Sequence, residues 1–173
     1  FTRGQNLEKI GQHAGDTSEL FFNDLRVPAD ALLGGVEGQG FVQMMRELPR
    51  ERLIIGVQAV HGAKGALDAT LKYVQERQAF GQPIGQFQNT RFTLAQCASD
   101  IAAAEAFLNA SVAAYERGEL TPEAASALKL HTTEVMGRVA DACLQLFGGY
   151  GYMAEYPISR FWTDARVLRI YGG

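Results

Sequence analysis

Glu47-Leu48-Pro49-Arg50-Glu51-Arg52-Leu53 opens a run that reaches about Gln78, and its reading decides the architecture. Within it Leu53, Val57, Val60, Leu67, Leu71 and Val74 recur at the three-and-four spacing of a helix with one buried stripe. His61, Lys64, Asp68, Lys72 and Gln75 repeat on the other side, so the spacing predicts a helix that packs on one face and meets water on the other. Pro49 disrupts the backbone hydrogen-bond ladder and tends to kink a helix. Glu51 follows it closely and has two readings. It is either a carboxylate aimed into a cleft beyond the kink or a solvated Glu between Arg50 and Arg52.

Downstream, Gly81, Pro83 and Gly85 interrupt the pattern and mark a loop. A second helix is expected from about Phe87 to Arg117, with Leu94, Ala98, Ile101, Leu108, Val112 and Tyr115 as its seam and Gly118 as its stop. Glu105 falls on that seam, where a carboxylate is more readily explained by pairing than by catalysis. Thr121-Pro122-Glu123 carries the start signals of a third helix: an N-cap, a proline at the first position and an acid near the positive dipole end. Leu128, Val135, Val139, Ala142 and Leu146 form its stripe, and Gly148-Gly149 ends it. Pro157 starts a fourth helical piece through about Val167, with Phe161 and Trp162 expected as core anchors. The sum is a mainly α protein, an antiparallel helical bundle.

Upstream the character changes. Ser18 to Val27 carries Leu20, Phe21, Phe22, Leu25 and Val27 and reads as strand, with a turn or bulge at Asn23-Asp24 and a stop at Pro28. Phe1 to Gly15 shows no sustained period, so the strand lacks obvious sheet partners. The glycines at 34, 35, 38 and 40 make a connector, and a domain boundary is expected near Gly35, dividing the chain into 1–35 and 36–173. A chain that begins at Phe1 and stops at Gly172-Gly173 with no closing element reads as a fragment.

Composition narrows the function. The 173 residues allow one ordinary domain, and a net charge of -3 lacks the basic patch that a nucleic-acid binder needs. Cys97 and Cys143 are too few and too far apart in sequence for a metal knuckle or a disulfide scaffold, and read as free thiols in a reducing interior. His13, His61 and His131 lack the spacing of metal ligands. No run approaches a membrane span, so a soluble, cytoplasmic protein is expected.

Three stretches join a polar group to glycine: Glu76-Arg77-Gln78-Ala79-Phe80-Gly81, then Phe87-Gln88, then Gln145-Leu146-Phe147-Gly148-Gly149-Tyr150-Gly151-Tyr152. An Arg at a helix end suits an anionic ligand, because its guanidinium can hold phosphate oxygens in two places while glycine lets backbone approach. It equally suits a helix end complementing its own dipole. In this order and spacing, with Glu19 to Pro28, Glu155-Tyr156-Pro157, Asp164-Ala165-Arg166 and Ile170-Tyr171-Gly172-Gly173, the chain resembles the C-terminal part of an acyl-CoA dehydrogenase, nearest the long-chain branch.

That resemblance implies a three-domain flavoenzyme, of which this chain holds the end of the middle sheet domain and most of the helical third domain. Arg77 and Phe80, with Gln88 nearby, match positions that grip the FAD of a neighbouring subunit, and Gln145, Gly148 and Gly149 match the loop at its adenosine and diphosphate end. A homodimer or homotetramer is implied, with an acyl-CoA substrate and electron-transfer flavoprotein as acceptor. Gly172 stands where most members carry the catalytic glutamate. In the long-chain and isovaleryl branches that glutamate lies on the first helix of this domain, at the place of Glu51. The resemblance therefore makes Glu51 the base, Arg52 an orienting group, and Tyr171 and Gly172 substrate contacts, the Gly172 amide stabilising the thioester oxygen together with a flavin ribityl hydroxyl. Related oxidases and flavin monooxygenases share the bundle, and a non-catalytic helical interaction module also fits the residues.

Overall fold

The structure, a computed structural model, describes residues 1–173. Helix α1 runs Gly40–Glu76, α2 Gln88–Glu116, α3 Pro122–Phe147 and α4 Pro157–Ala165. Two antiparallel strand pairs accompany them: β1 Thr2–Asn6 with β2 Ser18–Phe21, and β3 Gln78–Ala79 with β4 Gln82–Pro83. The core lies between α1, α2 and α3, with α4 packed across α1 and α3. A mainly α bundle is what the periodicity predicts.

Helix α1 begins at Gly40 and passes through Pro49 without a break, so the disruption expected there is local. Met44, Met45, Arg46, Glu47 and Leu48 are good helix formers on the N-terminal side, and the proline withholds one N–H, the one the Met45 carbonyl would receive. The buried face also differs from the expected stripe. Leu53, Val60 and Val74 are buried, but Val57 and Leu71 are each 37% exposed, and Gly56, Ala59, Ala63, Ala66 and Thr70 fill the face instead. A stripe drawn through large apolar side chains misses the small ones, and on α1 the small ones meet the neighbours. A Cβ on Gly56 would lie 3.1 Å from Leu128 of α3, and one on Gly65 3.0 Å from Phe161 of α4.

The same rotation recurs on α2, where Cys97, Ile101, Ala104, Leu108 and Ser111 point inward while Ala98 and Tyr115 are exposed. Glu105 is half-buried and paired with Lys64 of α1. Cys97 and Cys143, distant in sequence, are both buried free thiols, on α2 and α3. The neighbouring Cys97, then burial, pushes the Cys143 thiol up.

Helix α3 starts as its sequence predicts: the Ala124 N–H donates to Thr121 Oγ1 at 3.2 Å, Pro122 takes the first position and Glu123 the first turn. Gly148, at φ +60°, ends it. Phe161 of α4 packs on the core, but Trp162 does not: it is 45% exposed and its Nε1 donates to Asp141 at 3.1 Å. An indole that keeps a hydrogen bond at the surface is stable at the edge of a core rather than inside it.

The N-terminal segment is corrected twice. Phe1 to Gly15, without a clear period, supplies the missing partner, β1, with Thr2 opposite Phe21 and Arg3 opposite Leu20. The strand expected to reach Val27 stops at Phe21, and the chain bends at Asn23-Asp24, where a turn or bulge is expected, with Asp24 at a left-handed φ of +47°. Phe21, Phe22, Leu25 and Val27 remain exposed.

Because Ala63 is fully buried on the small-residue face of α1, Ala63→Leu should cost about 1–3 kcal/mol by overpacking. A shift in the urea midpoint with unchanged slope measures it, and a midpoint equal to the parent's would show that the face is looser than described.

Candidate functional site

Near the N-terminal end of α1, Leu32, Leu33, Val36, Met44, Met45 and Leu48 surround an open cavity of about 700 Å³. Glu51 lines it and is exposed. Glu47 lines it too, but is paired with Arg50 at 3.7 Å, which leaves Glu51 as the unpaired carboxylate of an apolar wall that suits a hydrophobic chain carrying a reactive proton.

Arg52, the next residue, points elsewhere. Its Nε donates to the Gly172 carbonyl at 3.0 Å and its Nη1 to Ser126 Oγ at 2.7 Å. The buried Lys129 of α3 donates from Nζ to the Gly173 carbonyl at 2.7 Å, and the Tyr171 hydroxyl donates to Gln58 Oε1 of α1 at 3.1 Å. Gly172 and Gly173 hold φ values of +75° and +84°, and a Cβ on Gly172 would sit 2.5 Å from Ile55 Cδ1. Glycine suits 172 by its left-handed conformation, and any side chain there would have to displace the tip of Ile55. The carbonyls of this turn are held by two cations, while the Gly172 and Gly173 N–H groups have no partner within the chain. Arg52, Tyr171 and Gly172 thus form one cluster beside Glu51.

The glycine-linked motifs assemble at the other end of α1. Arg77 caps the helix through its N–H to Tyr73, and its guanidinium stands 5.0 Å from the Tyr150 ring centroid. Arg77, Gln145, Gly148 and Gly149 line one open cavity of about 540 Å³. Tyr73, stacked on Phe147 at 4.0 Å, belongs to the same cavity; burial pushes its hydroxyl up, against the pull of Arg77. A Cβ on Gly148 or Gly149 would meet nothing within 4 Å, so a ligand can approach the backbone there. A cation, an amide and bare backbone suit a diphosphate, and the tyrosines suit a ring.

Phe80 stands apart from that cavity. With Gly81 it makes the two-residue turn between β3 and β4, both at positive φ, and a non-glycine residue there is strained. It is 95% exposed, edge-on to Phe87 at 6.2 Å, and Gln88 follows as the first, exposed residue of α2. By the helical rise, Arg52 and Arg77 lie about 37 Å apart along α1.

Residues 38–173 match the family model of the acyl-CoA dehydrogenase C-terminal domain. The chain belongs to the acyl-CoA dehydrogenase family. It is 44% identical over 173 residues to the mitochondrial long-chain specific acyl-CoA dehydrogenase of Sus scrofa, covering all of this chain and 40% of that protein. Among solved structures, an acyl-CoA dehydrogenase from Geobacillus kaustophilus superposes with a TM-score of 0.95 at 43% identity, over 99% of this chain and 45% of that one. A structure titled as an electron transferring flavoprotein of Acidaminococcus fermentans matches with a TM-score of 0.94 at 37% identity, over 99% of this chain and 45% of that one. The chain therefore spans less than half the length of these relatives. No helix is long and apolar enough to cross a membrane.

Residue reading missed Lys129, Ser126, Gln58 and the place of Tyr150 under Arg77. Lys129 left a signal: it follows Ala125 and Leu128 on the buried face of α3, where a lysine demands an acceptor. Burial, then repulsion from Arg52, holds the Lys129 amine below its usual 10.5. The unfolded chain therefore binds more protons between the depressed value and 10.5, so stability rises with pH through that window. Comparing the parent with Lys129→Met should show the parent gaining relative to the variant between neutral pH and just below 10.5; a constant difference would mean that the amine is not depressed.

Proposed function

We propose that this chain forms the C-terminal region of a longer FAD-dependent acyl-CoA dehydrogenase, which removes an α-proton and a β-hydride from an acyl-CoA thioester. Residues 1–35 are assigned to the end of the preceding sheet domain and 36–173 to the helical domain. The observation that carries the reading is the cluster at the N-terminal part of α1. Glu51 lines an apolar cavity while its neighbour Arg52 holds the Gly172 turn, whose N–H groups are free.

In this reading Glu51 accepts the α-proton. An acyl chain filling the cavity displaces water, and a carboxylate without water's hydrogen bonds is a stronger base. Gly172, positioned by Arg52 and supported by the Tyr171 bond to Gln58, turns its N–H to the thioester oxygen as negative charge develops. Bound FAD supplies the hydride acceptor. Arg77, Gln145, Gly148 and Gly149 would hold its adenosine and diphosphate end, and Phe80 and Gln88 would reach it from the hairpin and the start of α2. Those groups are open to solvent on one side, as half a site is, and this favours completion by a second copy in a homodimer or homotetramer. The electron acceptor is assigned as an electron-transfer flavoprotein. The Sus scrofa relative is a mitochondrial enzyme, which extends the expected setting from the cytoplasm to an organelle interior.

The half-site has a direct consequence. Calorimetric titration of the isolated chain with FAD should show no tight stoichiometric binding, and such binding would mean that the site is complete within these residues.

Glu51→Gln in the longer flavoprotein keeps the shape and hydrogen-bonding capacity of the side chain but cannot accept the proton. Flavin and acyl-CoA should still bind, while anaerobic flavin bleaching by substrate falls by orders of magnitude. Glu105→Gln and Glu155→Gln serve as controls and should bleach at near the parent rate. Parent-like bleaching by Glu51→Gln, or its loss in a control that keeps its flavin, would remove Glu51 from the role of base. Oxygen consumption in place of transfer to a carrier protein would assign the enzyme to the oxidases instead.

A further inference from the structure

We propose that Lys129 and Ser126 of α3 are positioning residues, which fix the Gly172–Gly173 turn from behind so that its amides face the oxygen of an activated acyl thioester. This rests on the reading above and deepens it, since the amide of Gly172 acts only if something holds the turn still.

The turn is poorly equipped to hold itself. Two consecutive glycines have the widest backbone freedom of any residue pair, and both sit in the left-handed region without an N–H bond to fix them. Three contacts restrain it: Arg52 on the Gly172 carbonyl, Lys129 on the Gly173 carbonyl, and Ile55 against the Gly172 Cα. Two of the three lead back to α3. Lys129 is on it, and Arg52 is steadied by Ser126 at 2.7 Å, whose hydroxyl in turn donates to the Pro122 carbonyl at 2.6 Å.

A lysine 5% exposed would find stronger solvation almost anywhere else, so its place beside a second cation needs a reason. That reason is orientation. The Arg52 cation draws the Gly172 carbonyl toward α1, and across that trans peptide plane the Gly173 N–H turns the opposite way, while Lys129 on the Gly173 carbonyl holds the next peptide plane and so fixes the turn from its far side. The positive charge behind the turn also polarises those amides, which strengthens them as donors. Misplacing such a donor by about 1 Å can cost an enzyme up to about a hundredfold in rate.

Two measurements on the flavin-loaded, full-length protein test this. The first is the order of the turn in substrate-free crystals, read as the B-factors of Gly172 and Gly173 relative to those of α3, which should rise in Lys129→Met. The second is exchange of the thioester α-hydrogen with deuterated solvent, which should fall about tenfold to hundredfold at unchanged affinity for acyl-CoA, with partial recovery in Lys129→Gln, a neutral donor. Ser126→Ala, at a half-buried position, should give a smaller fall of the same kind and decides the matter if Lys129→Met yields no folded flavoprotein. Parent-like relative B-factors at both glycines in a folded variant overturn the tether. Raised B-factors with parent-like α-hydrogen exchange reduce Lys129 and Ser126 to structural residues and overturn the positioning role. A parent that exchanges no α-hydrogen defeats the proposed function itself and the positioning role with it, a result distinguishable because the crystallographic measurement does not depend on turnover.

Discussion

The close approach of α1 to α3 is the constraint on which the rest of the structure depends. Gly56, Ala59, Ala63 and Ala66 remove side-chain bulk from one face of α1, and Leu128 and Met136 of α3 occupy the space, each 3.1 Å from where a Cβ on Gly56 or Gly62 would stand. Helices bearing large residues at a contact pack farther apart than helices bearing small ones. At the wider spacing, Arg52 from α1 and Lys129 from α3 would no longer converge on adjacent carbonyls of one turn. The packing of the core and the geometry of the candidate site therefore follow from the same small side chains.

That closeness requires each side-chain nitrogen and oxygen shut away from water to have a partner, and each does. Thr70 and Thr132 return their hydroxyls to carbonyls one turn back, at 2.7 and 2.8 Å, as Ser111 does at 2.9 Å. These bonds are local and keep threonine and serine compatible with a helix interior. Lys129 is the exception, because its bond leaves the helix and reaches residue 173. An unpaired buried ammonium is far more costly than an unpaired hydroxyl, so the core and the C-terminal turn order each other.

Much of the bundle could be read from the sequence because its signals are local. Thr121-Pro122-Glu123 specifies a helix start within three residues, and Gly118 and Gly148 specify stops through a single φ each. What could not be read depends on contacts between distant segments. Val57 and Leu71 carry the hydrophobic signal, yet glycine and alanine make the interface, and small residues register weakly in any apolar periodicity. Trp162 was expected inside on its bulk alone, while its indole N–H settles beside Asp141. For the site, local reading reached Arg77 and the glycines as an anion-binding possibility and left Glu51 with two readings that the family resemblance separated, whereas Arg52, Tyr171 and Gly172 were singled out through that resemblance alone. The bond from Arg52 to Gly172 spans 120 positions and no spacing rule anticipates it.

The length of α1 has a consequence for assembly. The Glu51–Arg52 end and the Arg77 end belong to one helix, and a rise of 1.5 Å per residue separates them by about 37 Å. That span exceeds an extended dinucleotide, so one cofactor cannot touch both ends of the same chain. Under the proposed function each end serves a different FAD, and a two-fold axis is the simplest operator that completes both, giving two equivalent sites and one cofactor per chain. Because both ends belong to one helix, the spacing is a property of the fold rather than of the ligand. The exposed Phe80, strained at the hairpin tip next to the C-terminal end of α1, then has the place of a side chain meant for a neighbouring copy, because its own chain offers it only the edge of Phe87.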